Sequence, residues 1–296
     1  MYIAVCGVGR SGTSLNTMII AALGLDPGDP AQMRPADEKN PLGYYELVPL
    51  LYFFSNRKTK VNIAESDLDF YAPDWETRPE MPELIADARE LWSQLRTSDN
   101  MVFKMFNIED TRPLWEKAIG EELIYVVPFR EPYESSVSLQ DFNAGKDQFE
   151  SSLSNRLHRW ATTYRGLVRT LQGRRVFFVE YGQLLAEPDR VLGELATALV
   201  EWGACPPGVD VAPARALIRP SLHRNRDVVN WRTRFLKPRT KYIYKALREL
   251  EGRHDALHVD NPVFWRDDAY SNAIARARVL LRPLRKAARR LANLGR

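Results

Sequence analysis

The chain has 296 residues, 45% hydrophobic and 27% charged, which excludes a disordered or fibrous protein and gives length for one large domain with appendages. Two cysteines, Cys6 in the first apolar run and Cys205 in a Gly-Ala-Cys-Pro-Pro loop, argue against a disulfide framework, and His158, His223, His254 and His258 lack the spacing of a zinc site. The net charge of +4 belongs to the tail: residues 276 to 296 hold eight Arg and Lys and no acid, so the rest of the chain is acidic on balance.

In chain order, YIAVC (2 to 6) reads as a short buried strand and SLNTMIIAALGL (14 to 25) as a helix closed by Gly24, with Ser11 and Thr13 available to cap its start. Residues 26 to 44 are rich in Pro, Gly and Asp and read as loop, and 46 to 57 resume a helical pattern. A helix is predicted at 81 to 95, a strand at 101 to 106, a short helix at 111 to 119 and the strongest strand at 122 to 129. A helix follows from Tyr133, then a long amphipathic helix at 149 to 172, a strand at 174 to 181 and a helix at 187 to 203; beyond 210 the pattern is helical and looped. Four apolar strands separated by helices predict an α/β protein, a three-layer P-loop-like fold with a central parallel sheet flanked by helices. Residues 1–235 form the expected main domain and 236–296 a helical C-terminal extension with a basic amphipathic tail.

CGVGRSGTSLNT (6 to 17) lies between the first strand and the first helix, the context a phosphate-binding loop requires. Gly7 and Gly12 have the spacing of an ATP or GTP loop, yet Thr13 stands where such loops carry lysine, and the cation is earlier, at Arg10. Backbone N–H groups and the helix dipole still favour an anion there, with hydroxyls from Ser11, Thr13 and Ser14. A nucleotide triphosphatase also wants a carboxylate after a hydrophobic strand to hold magnesium, whereas the 122 to 129 strand ends in Arg130-Glu131-Pro132. The pattern fits a phosphate ester held without an essential metal. Ser138, eight residues after Arg130 on a helix, forms with it a second anion site beside the first.

At these residues the sequence resembles the sulfotransferases that use 3′-phosphoadenosine 5′-phosphosulfate (PAPS). Arg10-Ser11-Gly12-Thr13-Ser14 is similar to that family's [K/R]-[S/A]-G-T-[T/S] loop for the 5′-phosphosulfate, and Arg130 with Ser138 to its pair for the 3′-phosphate. VFKMFNIEDTRPLW (102 to 115) resembles the K-D-P-R segment of bacterial members, with Lys104 kept and Asp-Pro replaced by Met105-Phe106; VEYGQLLAEPDRVLGELATALVEWG (179 to 203) resembles the V-x-Y-E-D-L-x-x-D-P segment, with Gly182-Gln183 in place of its acids. The likeness covers roughly residues 1 to 230.

The resemblance implies transfer of a sulfonate from PAPS, as co-substrate and with no metal, to a hydroxyl or amine by in-line displacement. The histidine base of the animal cytosolic enzymes is excluded, because Phe106 occupies its position. KNPLGYYEL (39 to 47) looks like the bacterial N-P-x-G-Y-x-E segment, which points to Glu46 as the base, with Lys104 and Arg10 on the sulfonate or bridging oxygens. IRPSLHRNRDV (218 to 228) looks like a basic loop that closes over the 3′-phosphate through His223, Arg224 and Arg226; His158 is read as a helix-face residue without a role. The expected acceptor is a carbohydrate, a lipid-linked glycan or a small hydroxylated metabolite, met by aromatic residues among Tyr44, Tyr45, Tyr52, Phe53, Phe54, Phe70, Tyr71 and Trp75. The alternative is a P-loop kinase or NTPase-like protein. No nucleic acid is implied.

In the tail, Leu280, Leu284, Ala287, Leu291 and Leu294 recur at helical spacing among arginines, which suits either an interfacial helix on anionic lipid or a helix docked on the domain or a partner subunit, hence a homo-oligomer. No run reaches the roughly 18 apolar residues of a membrane span, and no positive n-region precedes the first apolar stretch. A cytoplasmic protein, peripheral at the inner face of the membrane if the tail binds lipid, is the expectation.

Overall fold

A computed structural model describes residues 1–57, 70–72, 74–143, 152–219 and 238–265. The expected tail helix and the expected basic loop with His223, Arg224 and Arg226 fall on residues outside the described ones. One compact unit runs from Met1 to Val259, and Asp260–Arg296 forms a second, of which only its first residues are described.

Strand β1 (Tyr2–Cys6) leads through the glycine loop into helix α1 (Thr13–Ala22), and α2 (Val48–Arg57) and α3 (Met81–Leu95) follow. Then come β2 (Met101–Met105), α4 (Ile108–Ile119), β3 (Ile124–Phe129), α5 (Pro132–Asn143), α6 (Leu153–Thr170) and β4 (Val176–Glu180). Helices α7 (Tyr181–Ala186), α8 (Pro188–Glu201), α9 (Ala212–Leu217) and α10 (Pro238–Glu249), strand β5 (Gly252–His254) and, in the second unit, α11 (Pro262–Trp265) complete the described elements. The sheet order is β2-β1-β3-β4-β5. The first four strands are parallel and β5 is antiparallel to β4.

The four parallel strands are buried along their whole length, which is why they read as continuous apolar runs. Alternation along each strand divides the side chains between two helical layers. Ile3, Val5, Val102, Ile124, Val126, Phe177 and Val179 pack with α1 and α8 in one core. On the opposite face, Trp92 of α3 meets Tyr2 and Phe103 edge-on or tilted, Tyr125 donates to Glu116 of α4, and Phe129 lies against Tyr164 of α6. The expected three-layer α/β fold is present.

No strand is expected beyond residue 181, so β5 is an addition. Gly-Arg-His has no apolar period of its own; it is a strand because it pairs with β4, from Val176↔His254 to Phe178↔Gly252. Half of the expected aromatic set is buried, while Tyr52 and Tyr71 are exposed. Phe53, Phe54, Phe70, Trp75 and Trp115 form a connected cluster, and only Tyr44 of the set faces the cleft described below.

Because β1 is flanked by β2 on one side and β3 on the other, the chain reverses its direction of winding beside β1. Crevices at the carboxyl ends of strands form at that kind of point.

Candidate functional site

A cleft of about 1050 Å³ opens at the carboxyl ends of the parallel strands. Each strand delivers one part of its wall: β1 the glycine loop, β2 Lys104, β3 Arg130 and β4 Tyr181.

The loop follows β1 with a Val8 carbonyl to Ser11 amide bond of 3.2 Å, left-handed backbone at Arg10 (φ 70°), and Gly12 as the residue before α1 (φ 95°). Ser11 and Thr13 therefore do not take the cap position proposed for them. Gly12 occupies it without a side chain, and the buried Ser11 hydroxyl pairs with that of Ser135 on α5 at 3.3 Å. The first-turn amides of a helix have no intrahelical partner, so an uncapped start facing a cleft is suited to an anion.

Lys104 reaches this start from β2. It stands in register with Val5, on the same face as Val102, which packs beneath α1; two residues further along the strand, that face arrives at the helix's first turn. Its Nζ donates to Ser14 Oγ at 3.3 Å, to the Tyr44 carbonyl at 3.2 Å and to Glu46 Oε1 at 2.7 Å. The sheet thus supplies a lysine where the loop has Thr13. Burial pulls the Lys104 ammonium below its ordinary value, and Glu46 opposes that shift.

Glu46 is held by the loop between α1 and α2, not by a helix. Its carbonyl accepts from the Arg34 amide at 2.8 Å, Met33 and Leu47 form a bridge, and Tyr45 adopts left-handed backbone (φ 53°), so the carboxylate enters the cleft wall. Asn40 braces the same loop, donating to the Gly43 carbonyl at 2.6 Å and to Ser14 Oγ at 3.4 Å. Glu46 Oε2 accepts from Arg34 Nη1 at 3.3 Å, and the Arg34 guanidinium lies 3.9 Å from the centroid of the Tyr44 ring. Lys39 fastens the loop to the end of α5 by donating to the Phe142 carbonyl at 2.6 Å.

Arg130 leaves the end of β3 with 5% of its surface exposed. Its Nε donates to Glu134 Oε2 at 2.8 Å and its guanidinium lies 4.8 Å from the Tyr181 ring centroid, yet among the described residues the buried Nη2 has no hydrogen-bond partner. A buried charged donor left unmatched is costly unless something completes it. Ser138 lines the same cleft and accepts from Arg10 Nε at 3.1 Å, so the loop cation and the second motif touch directly. Arg10, Ser14, Glu46, Lys104, Arg130 and Ser138 are therefore all brought to one cleft. His158 lies on α6 and is not among its lining residues.

Sequence reasoning missed Arg34, Asn40, Tyr181 and Phe142. Arg34 and Asn40 sit in a stretch rich in turn residues, and Tyr181 read as the end of a strand. The segment after β4 turns into a helix at Tyr181, which puts its ring at the strand's carboxyl end, against Gly12.

Cys6 and Cys205 are both buried and free. Among the described residues no helix is long and apolar enough to cross a membrane.

No protein-family model matches the chain, and no curated protein sequence matches it. Among solved structures it is similar to the sulfotransferase domain from the Synechococcus PCC 7002 olefin synthase, at 15% identity and a TM-score of 0.48, covering 84% of this chain and 94% of that one. It is also similar to the sulfotransferase domain from the curacin biosynthetic pathway, at 18% identity and a TM-score of 0.45, covering 84% of this chain and 97% of that one.

Proposed function

We propose that this cleft binds PAPS and that the protein transfers its sulfonate to a hydroxyl or amine of a carbohydrate, glycolipid or small-metabolite acceptor. The observation that carries the reading is the pair of anion-holding centres on one cleft. One is the uncapped start of α1 with Ser14 and Lys104; the other is buried Arg130, whose Nη2 has no hydrogen-bond partner among the described residues, on the same cleft as Ser138. A nucleotide with phosphate groups at both ends of its ribose uses both centres, whereas a nucleoside triphosphate uses the first.

PAPS supplies an activated sulfonate whose leaving group is a phosphate. Arg130 and Ser138 would hold its 3′-phosphate, the loop residues Gly12 to Ser14 its 5′-phosphate, and Lys104 and Arg10 the charge that develops on the transferred group and bridging oxygen; Ser11, whose hydroxyl and amide are both engaged within the protein, would brace the loop instead. Glu46 would take the acceptor's proton. The tail at 275–296 would add attraction to an anionic membrane surface, a feature that concerns where the protein works.

Calorimetry with adenosine 3′,5′-bisphosphate against ATP with magnesium tests the donor. The bisphosphate should bind with a clear preference, and preference for ATP with magnesium would overturn the reading in favour of a kinase or NTPase. Labelled sulfate transfer tests the chemistry. Glu46→Gln should bind the bisphosphate as the wild type does and transfer no sulfate; full retained activity would remove Glu46 from the role of base.

A further inference from the structure

Glu46 carries a cation on each oxygen, Lys104 Nζ on Oε1 at 2.7 Å and Arg34 Nη1 on Oε2 at 3.3 Å. The two cations differ in their other attachments. Lys104 divides its three protons among Glu46, the Tyr44 carbonyl and Ser14 at the start of α1. An anion at that helix start therefore competes with Glu46 for Lys104. Arg34 has no such tie: it is anchored by its own backbone bond to Glu46 and by stacking on Tyr44. A carboxylate gripped by two cations is a poor proton acceptor, and one gripped by none has no fixed direction.

We propose that Arg34 is the positioning residue of the reaction: when Lys104 turns to the sulfonate of the donor, Arg34 alone keeps Glu46 aimed and charge-balanced, with Oε1 vacated for the acceptor's proton. The inference rests on the sulfonate-transfer reading above. In the step, a lone pair of the acceptor oxygen or nitrogen forms a bond to sulfur as the bond from sulfur to the bridging phosphate oxygen breaks. The electron pair leaves with adenosine 3′,5′-bisphosphate, and the acceptor proton passes to Glu46 Oε1. The charged and titratable groups around Glu46 are Lys104 from β2, Arg34 and Tyr44 from its own loop, and Arg10 from the glycine loop, with Asp37 bonded to the Tyr44 hydroxyl. Removing Arg34 while Lys104 serves the donor leaves the carboxylate without its remaining partner.

The test compares Arg34→Gln and Arg34→Lys with the wild type by two measurements: calorimetric affinity for adenosine 3′,5′-bisphosphate, and kcat and KM for sulfate transfer across pH, with thermal melts to show that each variant folds. Arg34→Gln should leave the bisphosphate affinity unchanged, lower kcat about 10- to 100-fold, and move the acid limb of the kcat profile upward by about one pH unit or more. Arg34→Lys should return the limb toward its wild-type position while recovering only part of kcat, because an ammonium lacks the guanidinium's fork and stacking. An unmoved acid limb in Arg34→Gln, or bisphosphate affinity that falls in step with kcat, would overturn the proposal. A wild-type protein that binds no bisphosphate overturns the functional reading itself, and this inference with it.

Discussion

Tyr181 stands so close to Gly12 that a Cβ placed on the glycine would lie 2.7 Å from the ring's Cδ2. The glycine loop after β1 is thereby closed from behind by the first residue after β4. At Gly12 the backbone is also left-handed, a conformation that costs an L-residue roughly 1–2 kcal/mol. Gly12→Ala should therefore lower stability measurably and weaken adenosine 3′,5′-bisphosphate binding by about tenfold or more, in line with the loss of roughly 1.4 kcal/mol or more per site. Adding Tyr181→Leu should return part of the stability, since it removes the clash but not the backbone cost. Calorimetry and denaturant melts check both, and unchanged bisphosphate affinity in Gly12→Ala would remove the loop from the binding site.

A second prediction concerns Arg130, whose planar group meets Glu134 on one side and the Tyr181 face on another, while its buried Nη2 has no hydrogen-bond partner among the described residues. Lysine cannot reproduce that arrangement. Arg130→Lys is expected to weaken the bisphosphate by about 10-fold or more, the lower end of a charge-assisted hydrogen bond's roughly 1.5–3 kcal/mol. Adenosine 5′-phosphate, which lacks the 3′ group, should lose far less. Equal losses for the two ligands would place Arg130 outside the 3′-phosphate site.

The buried pair Lys104–Glu46 yields a prediction about stability. Removing one member of a buried pair leaves an uncompensated charge and typically costs about 3–5 kcal/mol, while removing both costs less. Lys104→Met should therefore unfold at lower denaturant than the Lys104→Met/Glu46→Gln double variant. Arg34 softens the single loss by retaining a cation on Glu46. A double variant less stable than Lys104→Met would contradict this account of the pair.

Away from the cleft, Gly166 of α6 sits against Glu109 at the start of α4: a Cβ there would meet Glu109 Cβ at 2.7 Å. Alanine normally favours a helix interior over glycine by about 1 kcal/mol, but here overpacking of about 1–3 kcal/mol works against it. Gly166→Ala should be destabilising. The same burial pushes the Glu109 carboxyl up to about 7, against the opposing influence of its own backbone amide, Thr163 and Arg159. A carboxyl raised in the folded state stabilises the protein below its unfolded value and loses that contribution as pH rises through about 7. Glu109→Gln should accordingly gain on the wild type by roughly 3 kcal/mol between acid and neutral pH, read as a rise of several degrees in relative Tm. A gap between the two that does not change with pH would refute the assignment.

The sequence was informative wherever a residue's neighbours in the chain decide its structure. The run at 81 to 95 is the helix Met81–Leu95, and the apolar strands, fully buried on both faces, stood out as such. Arg130 was legible because it follows one of those strands directly. Arg34 was not: its role depends on a bridge between residues 33 and 47 that carries no local pattern, and on a Tyr44 ring that faces it only once Asp37 and Asn40 have shaped the turn. The same holds for β5, a strand by virtue of β4 alone, and for the Phe53–Trp75 cluster, whose aromatic composition is equally that of a sugar site or a core. Partners distant in sequence decide these cases, and single-chain periodicity does not contain them.

Lys104 has a thermodynamic consequence beyond its charge. A lysine on a glycine loop is ordered largely by its ligand, and fixing such a side chain costs up to about 1.5–2 kcal/mol of rotamer entropy. Lys104 grows from a central-layer strand, is 4% exposed and already makes three hydrogen bonds. Most of its disorder was therefore removed when the chain folded, so an anion arriving at α1 meets a cation that is already immobilised and needs only to exchange one oxygen partner for another.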